Sequence, residues 1–185
     1  MTALYDLDVA VTQTINALSG QGVVDAFMIG ISQWGVPLLV LAVAGQWWSG
    51  ADRRAKRHVL VAAGLAFILA LGFNQLVLLG VDRMRPYVAG VTTLLVPPSA
   101  DPSFPSDHAT AAFAIAATFA FSVIRRQAVW FTLAAVVVAF SRVYIGIHYV
   151  GDVLGGAVTG LLAAAAVTAL YRPGSRIDRF LTGIL

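Results

Sequence analysis

The stretch SRVYIGIHYVGD, residues 141–152, sets Arg142, His148 and Asp152 between two apolar runs, 128–140 and 153–171. Charge near membrane depth is costly and is kept where it has a use. His148 and Asp152 are four residues apart, a spacing that places both on one face if the backbone is helical. Asp152 can then take the proton of one ring nitrogen and leave the other free to attack. Two further stretches carry matching chemistry. DRMRPYV, 82–88, offers Arg83 and Arg85, planar donors suited to phosphate oxygens. In FPSDHAT, 104–110, Pro105 interrupts the chain, Ser106 is an N-cap candidate and His108 stands on the first turn of the helix that follows. The free N–H groups of that turn form an anion site.

Composition says what must hold these groups. The chain is 59% hydrophobic and 11% charged, with a mean hydropathy of +0.83. It reads as an integral membrane protein of one domain, 1–185. The absence of cysteine excludes disulfides, thiol catalysis and thiolate metal sites, and three histidines are too few for a His-rich metal centre. The basic pI of 9.7 is read as orienting the chain in a membrane, with no nucleic-acid partner. No cleavable leader is evident: the start lacks a basic region and carries Asp6 and Asp8. Instead, Leu4, Leu7, Val11, Ile15 and Leu18 recur at helical spacing, which predicts an interfacial amphipathic helix within 1–22.

A span needs about 20 mostly apolar residues. Five fit, over 26–48, 59–81, 105–124, 128–147 and 153–171, which makes the fold class all-α, a polytopic helical bundle. Five alternating spans put nine of the twelve Lys and Arg on one face: Arg53, Arg54, Lys56, Arg57, Arg125, Arg126, Arg172, Arg176 and Arg179. The positive-inside rule makes that face cytoplasmic. Arg83, Arg85 and Arg142 fall on the outer face with the three polar stretches. The loop 82–104, rich in Pro and Ser, is placed to act there as a lid. His58 is expected to be a solvated residue of the basic inner loop, and Asn74 and Gln75 to bond between helices. Gly151/Gly155 and Gly156/Gly160 suit close helix packing.

Two imidazoles, an orienting carboxylate, two or three arginines and a helix N-terminus suit phosphoryl transfer through a covalent phosphohistidine. Arginines spread the charge on the equatorial oxygens. One histidine attacks phosphorus; the other protonates the leaving oxygen and then activates water. No metal and no cofactor is required.

The three stretches resemble the signatures of the type 2 phosphatidic acid phosphatase superfamily, which also holds the vanadium haloperoxidases. Its usual pattern is Lys, six residues, Arg-Pro; then Pro-Ser-Gly-His; then Ser-Arg, five residues, His, three residues, Asp. Here the third is complete, from Ser141 through His148 to Asp152, and the second reads Pro105-Ser106-Asp107-His108. The first keeps Arg85-Pro86 but has Leu78 in place of Lys, and Asp107 stands where Gly is usual. Both departures, with SFPSDH and GQGVVDAFMIGISQWG, look like the bacitracin-resistance branch, the undecaprenyl-diphosphate phosphatases. The resemblance implies His148 as nucleophile, Asp152 as its orienting partner and His108 as general acid. It implies Arg85, Ser106, Arg142 and the backbone N–H of Asp107 as phosphate ligands, with Arg83 supplying some of the missing charge. The implied substrate is a polyprenyl diphosphate in a plasma membrane, approached from the extracytoplasmic side and surrounded by membrane lipids.

Other readings stay open at this stage. The same chemistry would serve a phosphatase of phosphatidylglycerophosphate, phosphatidate or diacylglycerol diphosphate. A lipid transporter would need polar groups at several depths, and here they cluster at one surface. A haloperoxidase would normally be soluble. Oligomeric state is not encoded in any pattern found.

Overall fold

The computed structural model describes residues 3–49, 52–122, 124 and 126–184; Met1 and Thr2 of the N-terminal segment, Val123 of the third expected span and Arg125 of the basic set lie outside them. The described residues form seven helices and no strand: α1 Ala3–Asn16, α2 Gly22–Ala44, α3 Arg53–Leu78, α4 Asp107–Ala120, α5 Arg126–Tyr144, α6 Val150–Leu170 and α7 Arg176–Thr182. Four of them, α2, α3, α5 and α6, are long and apolar enough to cross a membrane. The five expected spans reappear in order, with one difference. The third, expected over 105–124, is the 14-residue helix α4. At 1.5 Å per residue it is about 21 Å long, short of a ~30 Å hydrocarbon layer. It needs no lipid-facing length, because α2, α3, α5 and α6 all pack against it. Ten of its residues, among them Ala109, Ala112, Ala114, Ile115 and Phe119, are buried.

The packing inverts the soluble pattern. Alanines line the contacts between helices: Ala63, Ala66, Ala70, Ala112, Ala114 and Ala164 are fully buried. Leu41, Ile68, Leu76, Leu79 and Leu162 point outward. Lipid is as apolar as leucine, so nothing drives large side chains inside; small residues let backbones approach and gain dispersion contact. Gly156 and Gly160 mark the closest approach, of α6 to α4. A Cβ on Gly156 would lie 2.6 Å from the Ser106 carbonyl oxygen, and one on Gly160 would lie 2.7 Å from that of Thr110.

At one end of the bundle the chain closes with α7. Buried Arg57 donates to the carbonyls of Trp47 (3.3 Å) and Thr182 (3.0 Å). His58 is not a solvated loop residue, as its neighbours in sequence suggested. It lies in α3, its Nδ1 is 2.8 Å from Asp178 Oδ1, and its ring stacks on Tyr171. Asp178 comes from a C-terminal helix that hydropathy did not indicate, and Tyr171 from the end of the fifth expected span.

The other end is polar. The C-terminal ends of α3 and α5, the N-terminal ends of α4 and α6, α1 and the segment 79–106 meet there. That segment is hydrogen-bonded along its length. Tyr87 donates to the Ser99 carbonyl (2.8 Å), Thr92 to that of Gly146 (2.8 Å), and the amide of Leu95 to that of Ile145 (3.1 Å). It forms a wall over the turn between α5 and α6.

Candidate active site

The turn 145–149 reverses the chain in a tight space. Gly146 has φ +80, a conformation L side chains rarely adopt, and it faces the Thr93 carbonyl. The amides of Ile147 and His148 both bond to the carbonyl of Arg142, at 3.2 and 3.3 Å. His148 therefore stands in the turn and not on a helix shared with Asp152. Tyr149 is the N-cap, α6 begins at Val150, and Asp152 is its third residue. Asp152 reaches back to accept from the amide of Tyr149 at 2.8 Å, half of a capping box. The i, i+4 spacing brings the two side chains together, but by a cap and not by a common helical face.

Around His148 the hydrogen bonds settle its tautomer. Nδ1 lies 2.8 Å from the carbonyl oxygen of Ser103 and 3.5 Å from Asp152 Oδ2. Both neighbours are acceptors, so Nδ1 carries the proton and Nε2 keeps its lone pair. The carbonyl is the closer partner; Asp152 acts at ion-pair range. Its carboxylate is otherwise committed. Oδ2 also accepts from Ser103 Oγ at 2.5 Å, and Oδ1 from Arg83 at 2.6 Å. Ser103 is thus clamped three ways, since its amide donates to the Arg83 carbonyl at 2.8 Å. Sequence reasoning did not single it out. Its only signal was its place beside the PSDH motif.

Arg85 lies under the loop. It donates from Nε to the Asp101 carbonyl (2.8 Å) and from its terminal nitrogens to those of Ile147 (3.1 Å) and Pro102 (3.3 Å). These bonds hold the guanidinium in one orientation and leave further N–H groups for a ligand. Arg142, buried in the last turn of α5, donates to the hydroxyl of Ser32 on α2, while its Nε is buried without a partner among the described residues. Ser106 occupies the N-cap of α4 as expected, yet among the described residues its hydroxyl has no partner and caps nothing. Asp107 is held by Asn74 of α3, which donates to its Oδ1 at 2.7 Å and to Thr110 at 2.9 Å.

Part of this set lines one cavity of about 220 Å³, while Ser106 and Asp152 stand behind its wall. Gln75, Leu78, Arg85, Asp107, His108, Arg142 and His148 line it, with Ser99, Asp101 and Pro102 from the loop. Both histidines and both of these arginines are brought together. Leu78, standing where the family pattern has Lys, is on the wall. Arg83 is not. Its guanidinium pairs with Asp8 of α1 and with Asp152, both at 2.6 Å, and lies 4.0 Å over the ring of Tyr149. It supports the carboxylate.

Burial of His148 lowers its pKa below the ordinary imidazole value; Asp152 opposes this, and the arginines Arg142 and Arg85 reinforce it. The sign is that of a base kept neutral to lower pH than a free histidine, whose pKa is about 6.5. We expect ¹⁵N-histidine spectra, assigned with His148→Gln, to show a His148 midpoint below that of a free histidine and a neutral form protonated at Nδ1. A midpoint at or above 6.5 would contradict the geometry.

A cavity pairing imidazoles with arginines, at the end of a bundle with four helices long and apolar enough to cross a membrane, suits phosphate groups held at a membrane surface; the class is a membrane lipid phosphatase. The chain belongs to the PAP2 superfamily, whose profile matches residues 59–175. It is 35% identical over 141 residues to undecaprenyl-diphosphatase BcrC of Bacillus subtilis (strain 168), covering 76% of this chain and 71% of that one. It is 31% identical over 141 residues to the putative undecaprenyl-diphosphatase YbjG of Escherichia coli (strain K12), covering 74% and 67%. Among solved structures it is similar to the transmembrane PAP2 type phosphatidylglycerolphosphate phosphatase from Bacillus subtilis. There the TM-score is 0.71 and the identity 27%, over 95% of this chain and 90% of that one.

Proposed function

We propose that this protein hydrolyses undecaprenyl diphosphate to undecaprenyl phosphate and phosphate, on the extracytoplasmic side of the membrane, and so recycles a lipid carrier of cell-wall synthesis. The observation that carries this reading is the committed Nδ1 of His148. It leaves Nε2 as a nucleophile in a cavity that His108 and two arginines also line. Nε2 attacks the terminal phosphorus, and the bond from phosphorus to the bridging oxygen breaks. His108 gives that oxygen a proton, and undecaprenyl phosphate leaves. The imidazolium formed at His148 is stabilised by the buried Asp152 carboxylate. Water, deprotonated by His108, then attacks the phosphohistidine and releases phosphate. Arg85, Arg142, the Ser106 hydroxyl and the first N–H groups of α4 hold the equatorial oxygens. A cavity of this size takes the head group, and the chain lies along the lipid-facing helices.

The substrate rests on the curated relatives and on Leu78 and Asp107, the two departures shared with the bacitracin-resistance pattern. A second reading, phosphatidylglycerophosphate hydrolysis, is favoured by the structural similarity over 95% of the chain. A panel of C55 and C15 polyprenyl diphosphates, phosphatidylglycerophosphate and phosphatidate decides between them, with purified protein in detergent and EDTA present. Polyprenyl diphosphates are expected to give the highest kcat/KM; a preference for phosphatidylglycerophosphate would replace the first reading with the second. The orientation has its own test, because the chain has no cysteine. Ala89→Cys, exposed in the loop, should react with an impermeant maleimide on intact cells and Arg176→Cys should not; the reverse result would invert the topology.

A further inference from the structure

α1 precedes the segment that the superfamily profile covers, and its spacing suggested a helix lying on the membrane by its apolar side. That side does face outward: Leu4 is 80% and Leu7 60% exposed. The polar face beside it is docked, while Asp6 and Gln13 on the far side are exposed. Asp8, Thr12 and Asn16, each four residues on, form one stripe and dock on the catalytic turn. Asp8 Oδ1 accepts from the amide of Gly151 at 2.8 Å, and Thr12 Oγ1 accepts from that of Val150 at 3.0 Å. Asn16 donates to the carbonyls of Tyr144 (2.8 Å) and Thr93 (3.0 Å) and accepts from the amide of Thr93 (2.8 Å). The first N–H groups of any helix lack intrahelical partners. Those of α6 are capped here by a helix about 140 residues earlier, with a carboxylate at the positive end of the dipole.

We propose that α1 is a positioning element of the hydrolysis and that Asp8 is its central residue. Asp8 holds the start of α6, and with it Asp152, through the Gly151 amide. Its other oxygen fixes Arg83, which bonds Asp152 Oδ1. Asp152 in turn accepts from the Ser103 hydroxyl, and the carbonyl of Ser103 accepts the hydrogen bond from His148 Nδ1. The path is continuous from α1 to the attacking ring, and Asp8 touches neither the cavity lining nor the reacting atoms. This assignment rests on His148 being the nucleophile, as proposed above.

The test uses the full chain in detergent, with Asp8→Asn, Asp8→Glu, Arg83→Gln and the double variant Asp8→Asn/Arg83→Gln. Misplacing a reacting group by about 1 Å can cost on the order of 10²-fold. Asp8→Asn should therefore lower kcat by about 10- to 100-fold and leave KM within about twofold, and Asp8→Glu should recover part of the loss. Because both residues act through Asp152, the double variant should fall within about threefold of Arg83→Gln alone. Amide exchange across 148–152 should be at least about tenfold faster in Asp8→Asn, with 158–168 unchanged. Wild-type kcat together with wild-type exchange, a loss confined to KM, or a double variant whose losses multiply would each overturn the proposal. The exchange measurement needs no substrate. A wild-type enzyme inactive on polyprenyl diphosphates would refute the substrate, and exchange would still decide the role of α1.

Discussion

His148→Ala is expected to lower phosphate release by roughly 10⁴-fold or more, to the rate that binding and charge stabilisation alone sustain. In the proposed mechanism this side chain supplies the atom that bonds to phosphorus, and the other imidazole on the cavity wall, His108, serves as the acid. The loss must be separated from misfolding. The Ser103 carbonyl would lose its partner in a buried site, at a cost of about 1–3 kcal/mol. His148→Gln is therefore the sharper variant: its amide can still donate to that carbonyl, yet it cannot attack. Both variants should lack an acid-labile, base-stable phosphoenzyme that the wild type shows in rapid quench. His108→Ala should release phosphate almost as slowly as His148→Ala, and its diagnostic is different. With a substrate whose leaving group needs no proton, it should form the phosphoenzyme and fail to hydrolyse it. Activity of His148→Gln above about 1% of wild type would end the covalent mechanism.

Asp152→Asn should slow turnover by about 10²- to 10⁴-fold and also destabilise the protein. The buried carboxylate accepts from three donors: the Ser103 hydroxyl, the Tyr149 amide and the Arg83 guanidinium. An amide offers one acceptor oxygen and one NH₂ group, so whichever way it turns a donor faces a donor. The cost is about 1–3 kcal/mol, and more to the extent that Arg83 is left short of charge. Arg83 keeps Asp8, so folding survives. The kinetic loss has two parts: the imidazolium at His148 loses its counter-charge, and Ser103 loses the bond that sets its carbonyl. A shift of the thermal midpoint by several degrees should accompany a fall in kcat with little change in substrate affinity. Full activity would mean that the Ser103 carbonyl alone orients the ring and that the carboxylate serves the fold.

Much of this was legible in the sequence because membrane helices are local objects. A spanning segment satisfies its backbone hydrogen bonds within itself, so apolar length alone marks where it lies. Hence α2, α3, α5 and α6 match the expected spans to within six residues at either end. Chain reversal at each end then gathers 82–88, 104–110 and 141–152 at one pole, and residue type names the chemistry they can do. α4 was legible as an element but not in its length. Its 14 residues are enclosed by neighbours, a condition that exists only after they assemble.

What tertiary structure alone decided are the partnerships between groups far apart in the chain. Periodicity put the apolar side of α1 against the membrane; it could not show that Asp8, Thr12 and Asn16 meet Arg83, Val150, Gly151 and Tyr144. Arg83 read as a phosphate ligand because guanidinium suits phosphate, and a carboxylate claims it instead on each side. His58 read as solvated until a distant helix brought Asp178 to its ring. Even the spacing of His148 and Asp152 pointed to the right pair through the wrong geometry, since a helix cap and a Ser103 carbonyl, not a shared helical face, set the ring. Residue types and hydropathy are properties of the local chain. Which donor meets which acceptor depends on how the helices settle against one another, and that contact exists only in the folded bundle.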